Sequence, residues 1–414
     1  MNSRERILAA IDHKEPDKVP VDLGATPSSG ISAIAYSNLK KHLGIKEGHT
    51  RIYDVVQQLA LPEENILDRF GIDVLDVGRM FNIEENNWYD ITMANGDRAQ
   101  YPKWFCPVKE NDGSWNFYAK DGTPIAKMPE GATFYDQTCF PYIDGYPNNF
   151  KNLPVAMEKV LWAAMPLSPW DNAHKPDFWQ QLRDKAISLR QQTDRALIIG
   201  VGCNLFEWGT FLRRLDNFLM DLIIEQTNVE ALLDALMEIH LNTLDKVCQS
   251  VGDIVDIVKF GDDLGLDSGP FMSPEIYKKL FKPRHTMLCD YVKKHSQMRT
   301  YLHSCGSIYK LMPDLIEAGF EVINPVQTNC ADMEPEKLKR EFGQDITFWG
   351  GGVDTRQVLN RAKPEEVKYQ VKKRLEIFSP DGGFVFNTVH NILPDVPPEN
   401  IIAMFEAVEE FNGA

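Results

Sequence analysis

The sequence predicts an α/β fold: a (β/α)8 barrel carrying a β-rich insertion in its N-terminal half. Three observations predict it. From Asp177 onward, short runs rich in Val, Ile and Leu alternate with stretches of helical periodicity. The short runs are apolar almost throughout, as strands buried on both faces of a parallel sheet must be. The βα units approach eight and run over most of the 414 residues. No Gly-x-Gly-x-x-Gly follows an early strand, which argues against a dinucleotide-binding sheet.

The elements follow in order. Ser3 is a candidate cap for a first helix with Ile7, Leu8 and Ile11 on one face, ended by Pro16 and Pro20. Residues 19–23 read as a first strand, 37–43 as helix and 72–77 as strand. Residues 80–149 change texture: aromatics are dense, helical periodicity is absent, and Asn95-Gly96 and Asp121-Gly122 are hairpin signals. This stretch is predicted to be an insertion within a single barrel domain, serving as lid, docking surface or plain elaboration. Then come helix 178–192, strand 196–201, helices 215–226 and 229–248, strand 254–260 and helix 274–294. Strand 298–302, helix 308–318, strand 320–324, helix 334–342, strand 345–349, helix 364–378, strand 383–386 and helix 398–411 complete the pattern.

Composition narrows the function. A net charge of -16 argues against nucleic acid or an anionic membrane as partner. Seven cysteines without a Cys-x-x-Cys suit reduced thiols rather than a disulfide framework. The charged start Met1-Asn2-Ser3-Arg4-Glu5-Arg6 lacks the apolar stretch of a signal peptide, and no apolar run nears the roughly 20 residues of a membrane span. A cytoplasmic protein is expected.

Barrel enzymes gather their chemistry at the C-terminal strand ends. There the chain carries Cys203, Asn204 and Glu207; Asp262 and Asp263; His303 and Cys305; Pro325 and Gln327; Gly350-Gly351-Gly352 and Asp354; and Asn387 and His390. His303-Ser304-Cys305 stands out, because imidazole and thiolate are the donors zinc prefers. His390 is a candidate third ligand and Glu207 a candidate fourth; the competing readings are a structural histidine and a helix-start acid. Asp262 and Asp263 suit general acid–base work or helix capping. The triple glycine suits an anion cradle or a tight turn. Cys203 and Cys330 are further thiols within reach of the same end, Cys203 more simply read as a small hydrophobe.

These residues together resemble the uroporphyrinogen decarboxylase superfamily, a (β/α)8 barrel family. The likeness runs from Arg4-Glu5-Arg6-Ile7-Leu8-Ala9-Ala10-Ile11, through Gly261-Asp262-Asp263-Leu264-Gly265 and Pro283-Arg284-His285, to Phe386-Asn387-Thr388-Val389-His390-Asn391. Trp349-Gly350-Gly351-Gly352-Val353-Asp354 is similar to a Gly-Asn-x-Asp turn of that family, with Gly352 replacing the asparagine. Two departures matter. The decarboxylase proper holds its substrate's propionates with an N-terminal Arg-Gln-Ala-Gly-Arg-Tyr segment, whereas this chain has Val21-Asp22-Leu23-Gly24-Ala25-Thr26-Pro27 and no arginine there. His303-x-Cys305 in turn resembles the zinc motif of the corrinoid-dependent methyltransferase branch. That branch places a distant cysteine near the last strand, where this chain has His390 ahead of a matching Pro394-Asp395-x-Pro397.

The resemblance implies a zinc-dependent methyltransferase, with zinc on His303, Cys305, His390 and a displaceable Glu207, and with Asp262 and Asn387 as catalytic groups. It implies methyl transfer between a small methylated compound, such as a methoxylated aromatic, and cobalamin on a separate corrinoid protein. No Asp-x-His-x-x-Gly signature of a corrinoid domain occurs in this chain. With imidazole replacing thiolate, the demethylating component is expected rather than a thiol-activating one. The alternatives are a metal-free decarboxylase or lyase of the same fold using Asp262, Asn387 and His390, and a non-catalytic binding barrel.

Overall fold

The computed structural model describes residues 1–413. Seven parallel strands form one sheet in strict chain order: β1 (Val74–Asp76), β2 (Ala196–Gly202), β3 (Ile257–Gly261), β4 (Arg299–His303), β5 (Val322–Asn324), β6 (Thr347–Trp349) and β7 (Phe384–Val385). The eighth stave is thinner than the predicted strand 19–23. It survives as a parallel bridge from Val21 to Phe386, with Asp22 N–H donating to the Phe386 carbonyl (2.9 Å) and Asp73 N–H to the Val21 carbonyl (2.8 Å). Pro20 has no N–H to contribute there. These contacts link β7 to the start of β1, and the sheet closes into a barrel.

Both faces of the strands are buried, which explains their apolar runs. Val74, Ala196, Ile198, Ile257, Tyr301, Val322, Trp349 and Val385 pack together inside. Leu197, Ile199, Val258, Leu302, Ile323 and Phe348 face the helices outside. The buried Trp349 Nε1–H donates to Asp22 Oδ2 (2.9 Å), tying the closing stave to β6.

Helix 178–192 is observed with its predicted bounds, as is 364–378. Other boundaries moved. The first helix, Ser3–Ile11, is capped by Asn2 rather than Ser3: Asn2 Oδ1 accepts Glu5 N–H and Glu5 Oε2 accepts Asn2 N–H, each 2.9 Å. A helix at Phe206–Arg213 was absent from the predicted element order and signalled only by the reading of Glu207 as a helix-start acid; a small antiparallel sheet of Ile31–Ser32, Leu59–Ala60 and Ile52–Asp54 was not predicted. Predicted helix 274–294 contains a π-helical turn at Tyr277–Phe281.

The stretch 80–149 is β-rich. Trp88–Thr92 pairs with Arg98–Pro102 around Asn95-Gly96, and four short antiparallel strands fill Val108–Gln137. Gly96 and Gly122 sit at positive φ in the predicted turns. Phe105, Ile125, Ala126 and Tyr135 pack onto Val55, Val56, Leu161 and Met165. Tyr135 N–H donates to the Val56 carbonyl and Tyr142 N–H to the Leu212 carbonyl, seating the stretch beside the βα loops. No helix among the described residues is long and apolar enough to cross a membrane.

Candidate metal centre

His303 ends β4 on the inner face of the barrel, and Cys305 follows in a loop fastened on both sides. Asp262 N–H donates to the His303 carbonyl (2.9 Å), Ser304 N–H to the Asn324 carbonyl (2.6 Å), and Leu264 N–H to Ser304 Oγ (3.0 Å). Cys305 N–H donates to Asp263 Oδ1 (2.8 Å), and Gly306 N–H to Gln327 Oε1. Gly306 has φ +85°, and a Cβ there would lie 2.2 Å from the backbone of Gly265. Only glycine permits that approach.

One ligand atom each from His303, Cys305 and His390 lies within 4.8 Å of the others. Cys305 Sγ is 3.5 Å from His303 Nε2. Donors bound at about 2.0–2.3 Å to one tetrahedral ion stand roughly 3.3–3.8 Å apart, so this pair fits zinc. The hydrogen bonds also select the histidine nitrogen. Asn324 Nδ2 donates to the Trp349 carbonyl (2.8 Å), which turns Asn324 Oδ1 toward His303 Nδ1 (2.8 Å). His303 therefore carries its proton on Nδ1 and offers a bare Nε2. Replacing Asn324 with alanine is expected to weaken zinc binding by about 10–100-fold, measured by competition with a chelator, while the protein stays folded.

The electrostatics of the site suit a cation. Burial pushes His303 down to about 4 and lowers His390. Burial, Asp263 and Glu207 together push the Cys305 thiol well up. Burial and the neighbouring Asp263 and Asp262 raise the Glu207 carboxyl well above its usual range. A divalent ion would reverse the balance for the thiol and the carboxyl.

The other expected site residues take different places. Asp262 is fully buried, and its oxygens are occupied: Phe206 N–H (3.1 Å) and Glu207 N–H (2.9 Å) donate to them, and His285 Nε2 lies 3.3 Å away. His285 Nδ1 in turn meets Tyr277 Oη (2.9 Å), beside the π-helical turn. Asp262 thus caps the helix Phe206–Arg213 from below, and Asp263 is the acid that faces His303 and Cys305. Glu207 sits in the first turn of that helix, bonded by Asn204 Nδ2, and lies outside the three converging donors. Asn387 is 2 % exposed, yet neither its Nδ2 nor its Oδ1 has a partner. The triple glycine is a turn rather than an anion cradle: the N–H groups of Gly350, Gly351 and Gly352 donate to the carbonyls of Val385, Thr388 and Asn387. Cys203 is buried in the core, and Cys330 Sγ contacts Asp267 (3.4 Å); neither joins the three donors.

Sequence reasoning passed over Asn324 and Lys259. Each stands at the inner-face position of its strand, where a polar residue interrupts an otherwise apolar run. That interruption was the available signal.

A cleft of about 690 Å³ opens onto Cys305 and His390, walled also by Gln327, Arg356, Asn391 and, from the insertion, Phe134. A larger cavity of about 1460 Å³ lies among Arg6, Asp73, Arg195 and Phe405 near the N-terminal strand ends, away from every metal-capable residue of the cluster. Position favours the smaller cleft, because barrel chemistry sits at the C-terminal strand ends.

Comparison with known proteins adds four findings. The family model "Uroporphyrinogen decarboxylase (URO-D)" matches residues 177–411. Uroporphyrinogen decarboxylase of Methylococcus capsulatus is 45% identical over 53 residues, which is 13% of this chain and 15% of that protein. The enzyme of Vesicomyosocius okutanii is 43% identical over 80 residues, 19% of this chain and 22% of that protein. The matches to these curated relatives therefore span less than a quarter of their length. A solved methyltransferase from Methanosarcina mazei shares the fold, with a TM-score of 0.57 over 99% of both chains at 19% identity.

Proposed function

Since the chain belongs to the uroporphyrinogen decarboxylase family, we propose that within it this protein is a zinc-dependent methyltransferase, moving a methyl group between a small methylated substrate and a separate corrinoid protein. The convergence of His303, Cys305 and His390 carries the proposal. The name of the Methanosarcina mazei protein of like fold is consistent with it.

His303 Nε2, Cys305 Sγ and His390 would hold the ion, with Glu207 as a displaceable fourth ligand after release from Asn204. Zinc, when bound, supplies a Lewis acid for the ether oxygen of a donor such as a methoxylated aromatic. The protein's residues prepare that site. Asn324 keeps the His303 proton on Nδ1. Asp263 fixes the Cys305 backbone and adds negative charge beside the ligands. Phe134 and Leu393 supply apolar walls to the cleft. The methyl group passes formally as a cation to reduced cobalt on the partner, and the demethylated oxygen takes up a proton.

The metal-free lyase reading requires Asp262 as an acid–base group. Both Asp262 oxygens are already engaged with Phe206, Glu207 and His285, which counts against an acid–base role for Asp262 in either reading and leaves the metal-free lyase without that carboxylate, while the three converging donors are untouched.

The test is metal analysis followed by incubation of the zinc-loaded protein with cob(I)alamin and a panel of methoxylated aromatics and methylamines. About one zinc per chain and methylcobalamin from a methoxylated donor are expected. A loaded sample that yields methylcobalamin from no donor would overturn the proposal.

A further inference from the structure

Gln327 is a strand-end residue to which the metal centre gives no task. It follows β5 by three residues, in the turn that carries the chain away from Asn324. Its backbone is held there, because Cys330 N–H donates to the Gln327 carbonyl (2.9 Å). The side chain is 7 % exposed, and it lines the cleft that opens onto Cys305 and His390. Its Oε1 accepts the N–H of Gly306, the residue after the ligand Cys305. A backbone N–H can bond only the oxygen of an amide, so this contact fixes which end of the side chain is which.

The nitrogen end is left over. Among the described residues no acceptor takes a hydrogen bond from Gln327 Nε2, and Nε2 is not one of the sealed-off polar atoms of the core. It therefore faces the cleft. A residue needed only to accept the Gly306 N–H has no use for two N–H groups of its own. Other polar groups of the cleft are already engaged. Arg356 Nη1 lies 3.0 Å from Asp267 Oδ2 at the exposed rim, so that cation has its counter-charge. Asn391 Nδ2 donates to Gln57 Oε1 (3.1 Å). Phe134, Leu266 and Leu393 add apolar wall. A small number of placed polar groups in a largely apolar wall is how such pockets fix a ligand's orientation.

We propose that Gln327 is a specificity-determining residue, whose Nε2–H reads an acceptor oxygen carried by the methyl donor beside its methylated oxygen. The preferred donors are then neutral aromatics with two adjacent oxygen substituents. Methylammonium cations, which have no lone pair to offer, are excluded. The adjacency follows from the anchoring: the amide is fastened to Gly306, and the thiolate ligand is the residue before it. That the bound ring is a methyl donor rests on the methyltransferase reading; the recognition of its second oxygen does not.

The test is calorimetric titration of the zinc-loaded protein with 1,2-dimethoxybenzene, with 2-ethylanisole, in which a CH2 replaces the second oxygen, and with tetramethylammonium. The native chain is expected to bind 1,2-dimethoxybenzene about 10-fold more tightly than 2-ethylanisole. Gln327→Glu keeps an oxygen for the Gly306 N–H and removes the N–H donors, so it should bring that ratio to about one or below. Thermal unfolding and zinc content check that the variant keeps its fold and its metal centre, and the native ratio is read without any variant. Equal binding of the two ethers by the native protein, binding of neither, or a preference for 2-ethylanisole or tetramethylammonium overturns the assignment. An undiminished ratio in folded, zinc-loaded Gln327→Glu overturns it as well. If the ratio depends on Gln327 but the native protein transfers no methyl group to cob(I)alamin, the methyltransferase reading falls and the recognition by Gln327 stands.

Discussion

Changing Cys305 to alanine is expected to strip zinc from the purified protein and to abolish methyl transfer. Two imidazoles then remain of the converging set. Loss of a supporting partner alone costs roughly 10–100-fold in metal affinity, and loss of a thiolate donor costs more. Bound zinc should fall below about a tenth of an equivalent after dialysis, and methylcobalamin formation below about 1 % of native. His390→Cys is the control. It restores a thiolate where the methyltransferase branch has one, and zinc should be retained. A Cys305→Ala protein that keeps its zinc and its activity would remove the metal centre from the mechanism.

The second large effect is on stability. Asp262→Ala deletes a fully buried carboxylate that receives two backbone N–H groups and pairs with buried His285. Each buried donor left without its acceptor typically costs about 1–3 kcal/mol, and two backbone N–H groups lose theirs. The urea midpoint should fall accordingly, and the helix Phe206–Arg213, which loses its N-terminal acceptor, should exchange its amides faster. Asp262→Asn keeps an acceptor oxygen and should lose less. The folded fraction of either variant should still bind zinc through His303, Cys305 and His390. Unchanged stability with lost methyl transfer would instead return Asp262 to the catalytic machinery.

These two residues show how legible the site was. His303 and Cys305 are two positions apart at the end of an apolar strand, so local pattern alone exposed them. Asp262 and Asp263 are adjacent, and sequence could not say which faces the cleft. The chain leaves the strand at Gly261, and packing against His285 and the Phe206–Arg213 helix sends one carboxylate into the core and the other toward Cys305. That helix was signalled only by the reading of Glu207 as a helix-start acid, and its extent was missed. Its eight residues, Phe206–Arg213, contain Trp208, Gly209 and Phe211, a poor helical signature, and Asp262 supplies from outside the cap it lacks.

The thin eighth stave and the capping residue of the first helix show the same limit at the level of fold. Val21 pairs with Phe386 only because the sheet curls until its two ends meet. Asn2 and Ser3 are both competent caps, and the choice fell to the one whose spacing put Glu5 at the third helical position.

The sequence by itself determined the barrel class, the order of its strands and the end where chemistry gathers, because burial on both faces of a parallel sheet writes continuous apolar runs and each strand declares where it stops. Tertiary structure decided that His390, one of several candidate ligands, meets His303 and Cys305, that Asn324 orients His303, and that Asp262 is held in the core. Each of those pairings joins side chains from different strands or from loops beyond them. Their distances are set by closure of the sheet and by loop packing at glycines such as Gly306, which no local periodicity records.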